Sequence, residues 1–332
     1  MSQVTKSVID EDEVLKELLE RPVKIKIIWH ILILTIIFHI EAIRGFYFVI
    51  TGQVMWQTLV FAGILYIFSG FGVVAGVHRL WSHRSYKVNF PLRFILVIFN
   101  SIAYQKSVIR WARDHRVHHK YCDTNADPHN VKRGFFYSHI GWLFCKKHPA
   151  TIEAGKRIDV SDLTSDKLLW LQNKYFFYIS PLLCFILPTL IPAYFWGEKL
   201  MNAWTVAACL RFILFLHATL SINSFAHMYG YKPYDESITP VQSLFVSVIC
   251  LGDGWHNYHH VFPWDYKSDE FGSHNFNLSA MFIEFMSKLG WAYDLRTTPY
   301  SSIVARAKKT GDGEIAKNFL ENLKRCGKLD LF

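Results

Sequence analysis

The sequence predicts an all-α integral membrane protein in which four transmembrane helices are capped by a cytosolic helical domain. Three observations lead there. Four apolar stretches have spanning length. The 332 residues are 51% hydrophobic and only 19% charged, so the chain must bury most of itself. Sixteen histidines are present, eight of them in three dense clusters outside the longest apolar runs.

Taken in order, residues 1–24 form an arm whose first twenty residues hold six acids and two lysines, which reads as polar, mobile and cytosolic. Residues 25–77 carry the first two spans. The stretch 27–50 follows Arg21, Lys24 and Lys26, so its basic flank stays in the cytosol. The stretch 55–77 has no charged residue and contains Gly63, Gly70, Gly72 and Gly76. Residues 171–222 carry the other two. The stretch 175–196 includes Pro181, Pro188 and Pro192, and 203–222 has one basic residue, Arg211. The segment 92–109 is nearly apolar enough to cross but contains Arg93, Asn100, Gln105 and Lys106. If it crossed, His78 and His83 would lie across the bilayer from His115, His118 and His119, so an interfacial or re-entrant helix is predicted. The run 241–251 is too short to span. Residues 78–170 and 223–332 are therefore cytosolic catalytic segments, and both termini are cytosolic.

The net charge of +9 is concentrated in one segment, since residues 79–170 hold sixteen Lys and Arg against seven Asp and Glu. With this much apolar sequence, the excess points to a membrane surface or an anionic substrate rather than to nucleic acid. Six cysteines form no CxxC pair and no cleavable leader pattern is present, which places the thiols in a reducing compartment. Zinc-peptidase, serine-hydrolase and phosphate-loop motifs are absent.

The chemistry rests on the histidines. His115, His118 and His119 share the i, i+3, i+4 spacing of His256, His259 and His260, which gathers three imidazoles on one helix face. His78 and His83 are five residues apart, about 140° off one face, so one of them is expected where the second span ends. Eight imidazoles are too many for one metal ion and suit a dinuclear site. His227 lies one turn after Asn223, and the residues alone leave its role open. His30, His39, His129, His139, His148, His217 and His274 are read as non-ligands. With few carboxylates near the clusters, a redox metal acting on oxygen is favoured over hydrolysis, and a lipid substrate follows from the membrane mouth.

Six strings together resemble the eukaryotic membrane acyl-CoA desaturases of the stearoyl-CoA (delta-9) type. They are Ala75-Gly-Val-His-Arg-Leu-Trp-Ser-His-Arg84, Trp111-Ala-Arg-Asp-His-Arg-Val-His-His-Lys120, Asp127-Pro-His-Asn130, Arg133-Gly-Phe-Phe136, Lys147-His-Pro149 and Gly254-Trp-His-Asn-Tyr-His-His260. The resemblance covers roughly residues 25–300. It implies two Fe2+ ions held by nine histidines, with His227 the ninth. One iron would take His78, His83, His119 and His260, with Asn223 acting through a water. The other would take His115, His118, His227, His256 and His259. It also implies an endoplasmic reticulum enzyme that uses O2, cytochrome b5 and NADH-cytochrome b5 reductase to insert a cis double bond, at carbon 9 by default, into C16–C18 acyl-CoA. A membrane hydroxylase and a non-catalytic haem or metal carrier are the alternatives.

Where the family usually has Glu before Gly254, this chain has Asp253, expected to orient a ligand imidazole through its second nitrogen. Asp114 is expected either in the same role or in a surface ion pair. The resemblance further places Gln105, Trp111 and Thr219 at the bend of an acyl tunnel, with Tyr66 and Gly70 at its closed end. Lys146, Lys147, Lys156 and Arg157 are candidate docks for the CoA phosphates.

Overall fold

The structure, a computed structural model, describes residues 11–269, 276–313 and 321. Among these, four helices are long and apolar enough to cross a membrane: Trp29–Ile50, Trp56–Ser82, Phe176–Trp196 and Leu200–Met228. The most apolar part of the fourth is 67% buried and that of the first only 11%, so the fourth helix is the axis of the bundle and the first lies at its edge. The two touch where Gly45 meets Thr205, since a Cβ at 45 would collide with the Thr205 carbonyl.

The second and fourth spans run past their apolar sequence, to Ser82 and Met228, and so carry His78 and His227 up into the cap. From Phe71 to Ser82 the helix widens to i→i+5 hydrogen bonding. The His83 amide continues the pattern by donating to the His78 carbonyl at 3.2 Å. The expected 140° offset assumes an ordinary helical period; the wider turn cancels most of it and brings the two rings to 5.0 Å.

Arg211, the one charge in the fourth span, has a structural reason. Pro188 has no N–H for the carbonyl of Cys184, one turn earlier. Arg211 Nη2 donates to that carbonyl at 2.6 Å, and Nη1 to the Ile102 carbonyl at 3.0 Å. At the opposite end of the bundle, Glu198 accepts from the Met55 amide at 2.9 Å and the Thr58 hydroxyl at 2.8 Å, closing the start of the second span.

The segment 92–109 becomes two helices, Phe90–Ala103 and Val108–Lys120, that meet at 81°. Tyr104 (φ 53°) and Lys106 (φ 79°) make the elbow. The short helix Leu244–Ile249 occupies the run judged too short to span. The amino-terminal arm departs from expectation: Glu11–Glu20 is a helix, and Leu15 is buried against Val117, Ala126, Ala150 and Ala154. Its charges are the solvent face of an amphipathic helix, and a hydrophobic stripe docks it. His274 lies outside the described residues.

Candidate metal centre

Four elements bring the histidines together. The widened end of the second span supplies His78, and His83 caps it; the helix Val108–Lys120 supplies three, the end of the fourth span supplies His227, and the helix His256–Val261 supplies three. Their ring nitrogens form two groups, with the atoms of each group within 4.8 Å of one another. One holds His78, His83, His115, His119 and His259; the other holds His118, His227, His256 and His260. Nε2 atoms stand 2.9 Å apart for His78 and His259, 2.8 Å for His83 and His115, and 2.9 Å for His119 and His259. In the second group the spacings are 3.1 Å for His227 and His256, 3.1 Å for His256 and His260, and 3.3 Å for His118 and His260.

This sorting differs from the one that the resemblance implies. Residues i and i+4 on a helix are about 40° apart in direction, while neighbours are about 100° apart. His115 pairs with His119 and His256 with His260, while His118 and His259 each turn to the other group. Asn223 stands one turn before His227 on the same helix and lines a cavity shared with His115.

The donor chemistry fits metal ions. Burial, reinforced by neighbouring imidazoles, pushes His83, His115, His119, His256, His259 and His260 well below the usual imidazole pKa, which keeps their lone pairs free. Outer nitrogens are held from behind. His78 Nδ1 is 2.9 Å from Asp253, and His118 Nδ1 is 2.9 Å from Asp127. His227 Nδ1 meets the Thr239 hydroxyl at 3.1 Å, and that hydroxyl bonds to Asp123. Such carboxylate–imidazole pairs fix tautomer and ring direction at metal sites. Burial opposes the charge on Asp127, yet His118 and His129 beside it outweigh burial and hold its carboxyl well below the usual range. Cys122 sits near both His118 and His227, but burial pushes its thiol far up and keeps it protonated, a poor ligand. A cavity of about 260 Å³ opens beside His115, lined by Trp111, Gln105, Thr219 and Asn223 and, from the first span, by Leu34 and Phe38.

A fatty acid desaturase profile matches residues 54–295. The chain belongs to the fatty acid desaturase family. It is 50% identical to an acyl-CoA Delta-9 desaturase of Acheta domesticus, over 88% of this chain and 81% of that one. It is 49% identical to an acyl-CoA Delta(11) desaturase of Choristoneura rosaceana (88% and 87%) and 48% identical to a stearoyl-CoA desaturase of Mesocricetus auratus (88% and 82%). As a member of this family, the chain is a membrane-embedded oxidoreductase of the desaturase type.

Within this desaturase the other expected site residues fall in different places. Gln105 donates to the Thr219 hydroxyl at 3.0 Å across the cavity wall, and Trp111 stacks on His115 with ring centres 4.9 Å apart. Tyr66 and Gly70 do not line this cavity. The Tyr66 hydroxyl donates to the Ile249 carbonyl at 2.7 Å, and a Cβ at Gly70 would run into the side chain of Leu251, which already fills the room expected there. Asp253 is where the sequence puts it, behind a ligand-type imidazole, and Arg79 adds to its ion pair at 3.5 Å. Asp114 takes the ion-pair alternative: it pairs with Lys147 at 2.6 Å, Lys106 at 2.9 Å and Arg113 at 3.4 Å, three cations within its reach. Lys146 is exposed, while Lys156 is paired with Glu153, and Arg157 with Glu153 and Asp12.

Asp123, Asp127 and Thr239 are the residues that sequence reading missed. The string Asp127-Pro-His-Asn130 carried a signal, since an acid nine residues after His118 can fold back on it; Thr239 carried none. Of the histidines set aside, His129 is buried beside His118 without joining either group, and burial together with His118 pushes it down to about 3. His39, His217 and His139 form a row, with Nε2 of His39 and Nε2 of His217 2.9 Å apart, and Nδ1 of His217 and Nε2 of His139 2.9 Å apart.

Proposed function

We propose that this desaturase takes saturated C16–C18 acyl-CoA and inserts one cis double bond at carbon 9. It binds two Fe2+ ions, one in each histidine group, and works in the endoplasmic reticulum membrane with both termini cytosolic. The observation that carries the reading is the pair of convergent histidine groups, backed by Asp253, Asp127 and Thr239 and opening onto a cavity beside Trp111. Bound there, the irons would supply the oxygen activation that removing two hydrogens from unactivated carbons requires. The balance is set by the reaction. A CH2–CH2 unit gives up two protons and two electrons, an external donor adds two electrons, and O2 leaves as two waters with two further protons. No flavin, haem or nicotinamide motif lies in the chain, which supports cytochrome b5 and its NADH-dependent reductase as that donor.

The chain's own residues position and exclude. Trp111 holds His115 by stacking and forms one wall; the Gln105–Thr219 bond fixes the bend. Tyr66 and Gly70 lie deeper and set the length of chain accepted, Gly70 through the Leu251 side chain packed on it and Tyr66 through its bond to the Ile249 carbonyl. Lys146 docks the CoA phosphates, and Lys147, Lys156 and Arg157 contribute less because Asp114, Glu153 and Asp12 already offset their charge.

The test is expression in a desaturase-deficient host, followed by gas chromatography of fatty acids with double-bond derivatisation. The expected products are cis-9 C16:1 and C18:1. Products at carbon 11 would overturn the position but keep desaturation, and hydroxylated products would overturn the reaction.

A further inference from the structure

The docked amino-terminal helix meets the metal centre at the loop 121–131 and, through Val117, at the helix Val108–Lys120. Leu15 is buried against Ala126 and Val117, and the Asn125 side chain donates to the carbonyls of Leu19 at 2.8 Å and Arg21 at 3.2 Å. Asn125 thus fastens the loop 121–131 to the end of that helix, and Arg133 and Thr151 hold the same residue from the other side. This loop supplies Asp127, behind His118, and Asp123, behind Thr239 and His227. Both imidazoles belong to the four-histidine group. Asp123 also stands at φ 57°, a left-handed conformation that a non-glycine residue keeps only while its surroundings hold it.

The five-histidine group has other supports. Asp253 backs His78. The helix Val108–Lys120, which Leu15 also touches through Val117, is fixed independently. Arg116 donates to the Ser82 and Trp81 carbonyls at 3.1 and 2.7 Å and pairs with Asp162 at 2.7 Å. From these contacts we infer that the helix Glu11–Glu20 is a positioning element for one metal ion only. By bracing the loop 121–131 it keeps the four-histidine ion in place, and undocking it loosens that ion while leaving the other held. The inference rests on the reading of the two groups as iron sites.

The test uses the full chain in detergent, loaded with iron(II), with release to ferrozine followed in time. Leu15→Asp undocks the helix by burying a charge, Asn125→Ala cuts the tie to the loop, and Lys16→Asp, on the exposed face, is the control. In both loosened variants one iron per chain should leave about tenfold faster, in the range that loss of an outer-shell partner produces, and the other at the wild-type rate. Combining Leu15→Asp with Asp127→Asn should add little, since both act on one ion; combining it with Asp253→Asn should speed both. Wild-type release from both variants overturns the inference, as does equal acceleration of both irons, which would mean general loosening of the cap. A wild-type chain that binds no iron overturns the metal reading along with it, whereas two irons with unaffected variants overturns the inference alone.

Discussion

Two sets of histidines in this desaturase have ring nitrogens about as close as each other, and they are built oppositely. In the metal centre the inner nitrogens converge and several outer ones are held by Asp253, Asp127 or Thr239. In the row His39–His217–His139, His217 spends both nitrogens along the line. His39 Nδ1 lies 2.7 Å from the Thr35 carbonyl, which can only accept, so the proton is on Nδ1. His39 Nε2 then faces His217 Nε2, His217 Nδ1 faces His139 Nε2, and His139 Nδ1 lies 2.8 Å from the Ser224 hydroxyl, which itself donates to the Leu220 carbonyl at 3.2 Å. Every ring nitrogen in the row has a protein partner with no ion between them. Closeness of imidazoles therefore says little; what marks a metal site is convergence with an acceptor behind.

The sharpest way to break this contrast is to remove one ring from each set. His119→Ala or His260→Ala should reduce fatty acid desaturation to background and lower iron per chain, while His217→Leu keeps both irons. Normal iron and turnover in His119→Ala, or iron loss in His217→Leu, would erase the distinction. A smaller effect tests the outer shell: Asp127→Asn preserves shape and removes charge, and should weaken iron binding about ten- to a hundredfold in a chelator competition. Unchanged affinity would reduce Asp127 to a packing residue. Smallest is the cost of interrupting the row. His217→Leu leaves a nitrogen on His39 and on His139 without its partner, which should lower stability by about 1–3 kcal/mol, read as a drop in thermal midpoint in detergent. No drop would mean that the row holds nothing together.

Much of this was legible because it depends on composition and period. The spans are set by apolar length, the topology by keeping His78, His83 and His115 on one side, and the His115 and His256 triplets by helical spacing. The misses share a cause: each depends on a partner far along the chain. The widened turn after Phe71 has no local signature, so the His78–His83 spacing looked discordant. Thr239 reaches His227 only once the loop from Met228 folds back, and the choice between the two roles expected of Asp114 falls to Lys106 and Lys147, which reach it only through the elbow and the loop before Pro149. Leu15 resembled part of a charged tail because the alanines that receive it are more than a hundred residues away.

Arg211 has a consequence for where the enzyme measures from. Its guanidinium ties the fourth span to Ile102, in the last turn before the elbow, and to Cys184 in the third. Thr219 lies eight residues further along the same helix, about 12 Å. The distance from elbow to cavity wall is thus gauged from a fixed point inside the protein, not from the lipid headgroups. Bilayers differ by several ångströms in hydrophobic thickness, and helices answer such mismatch by tilting. With its reference carried internally, this bundle can tilt as a body and still present the same carbon to the same place, so double-bond position should be indifferent to membrane thickness even where turnover is not.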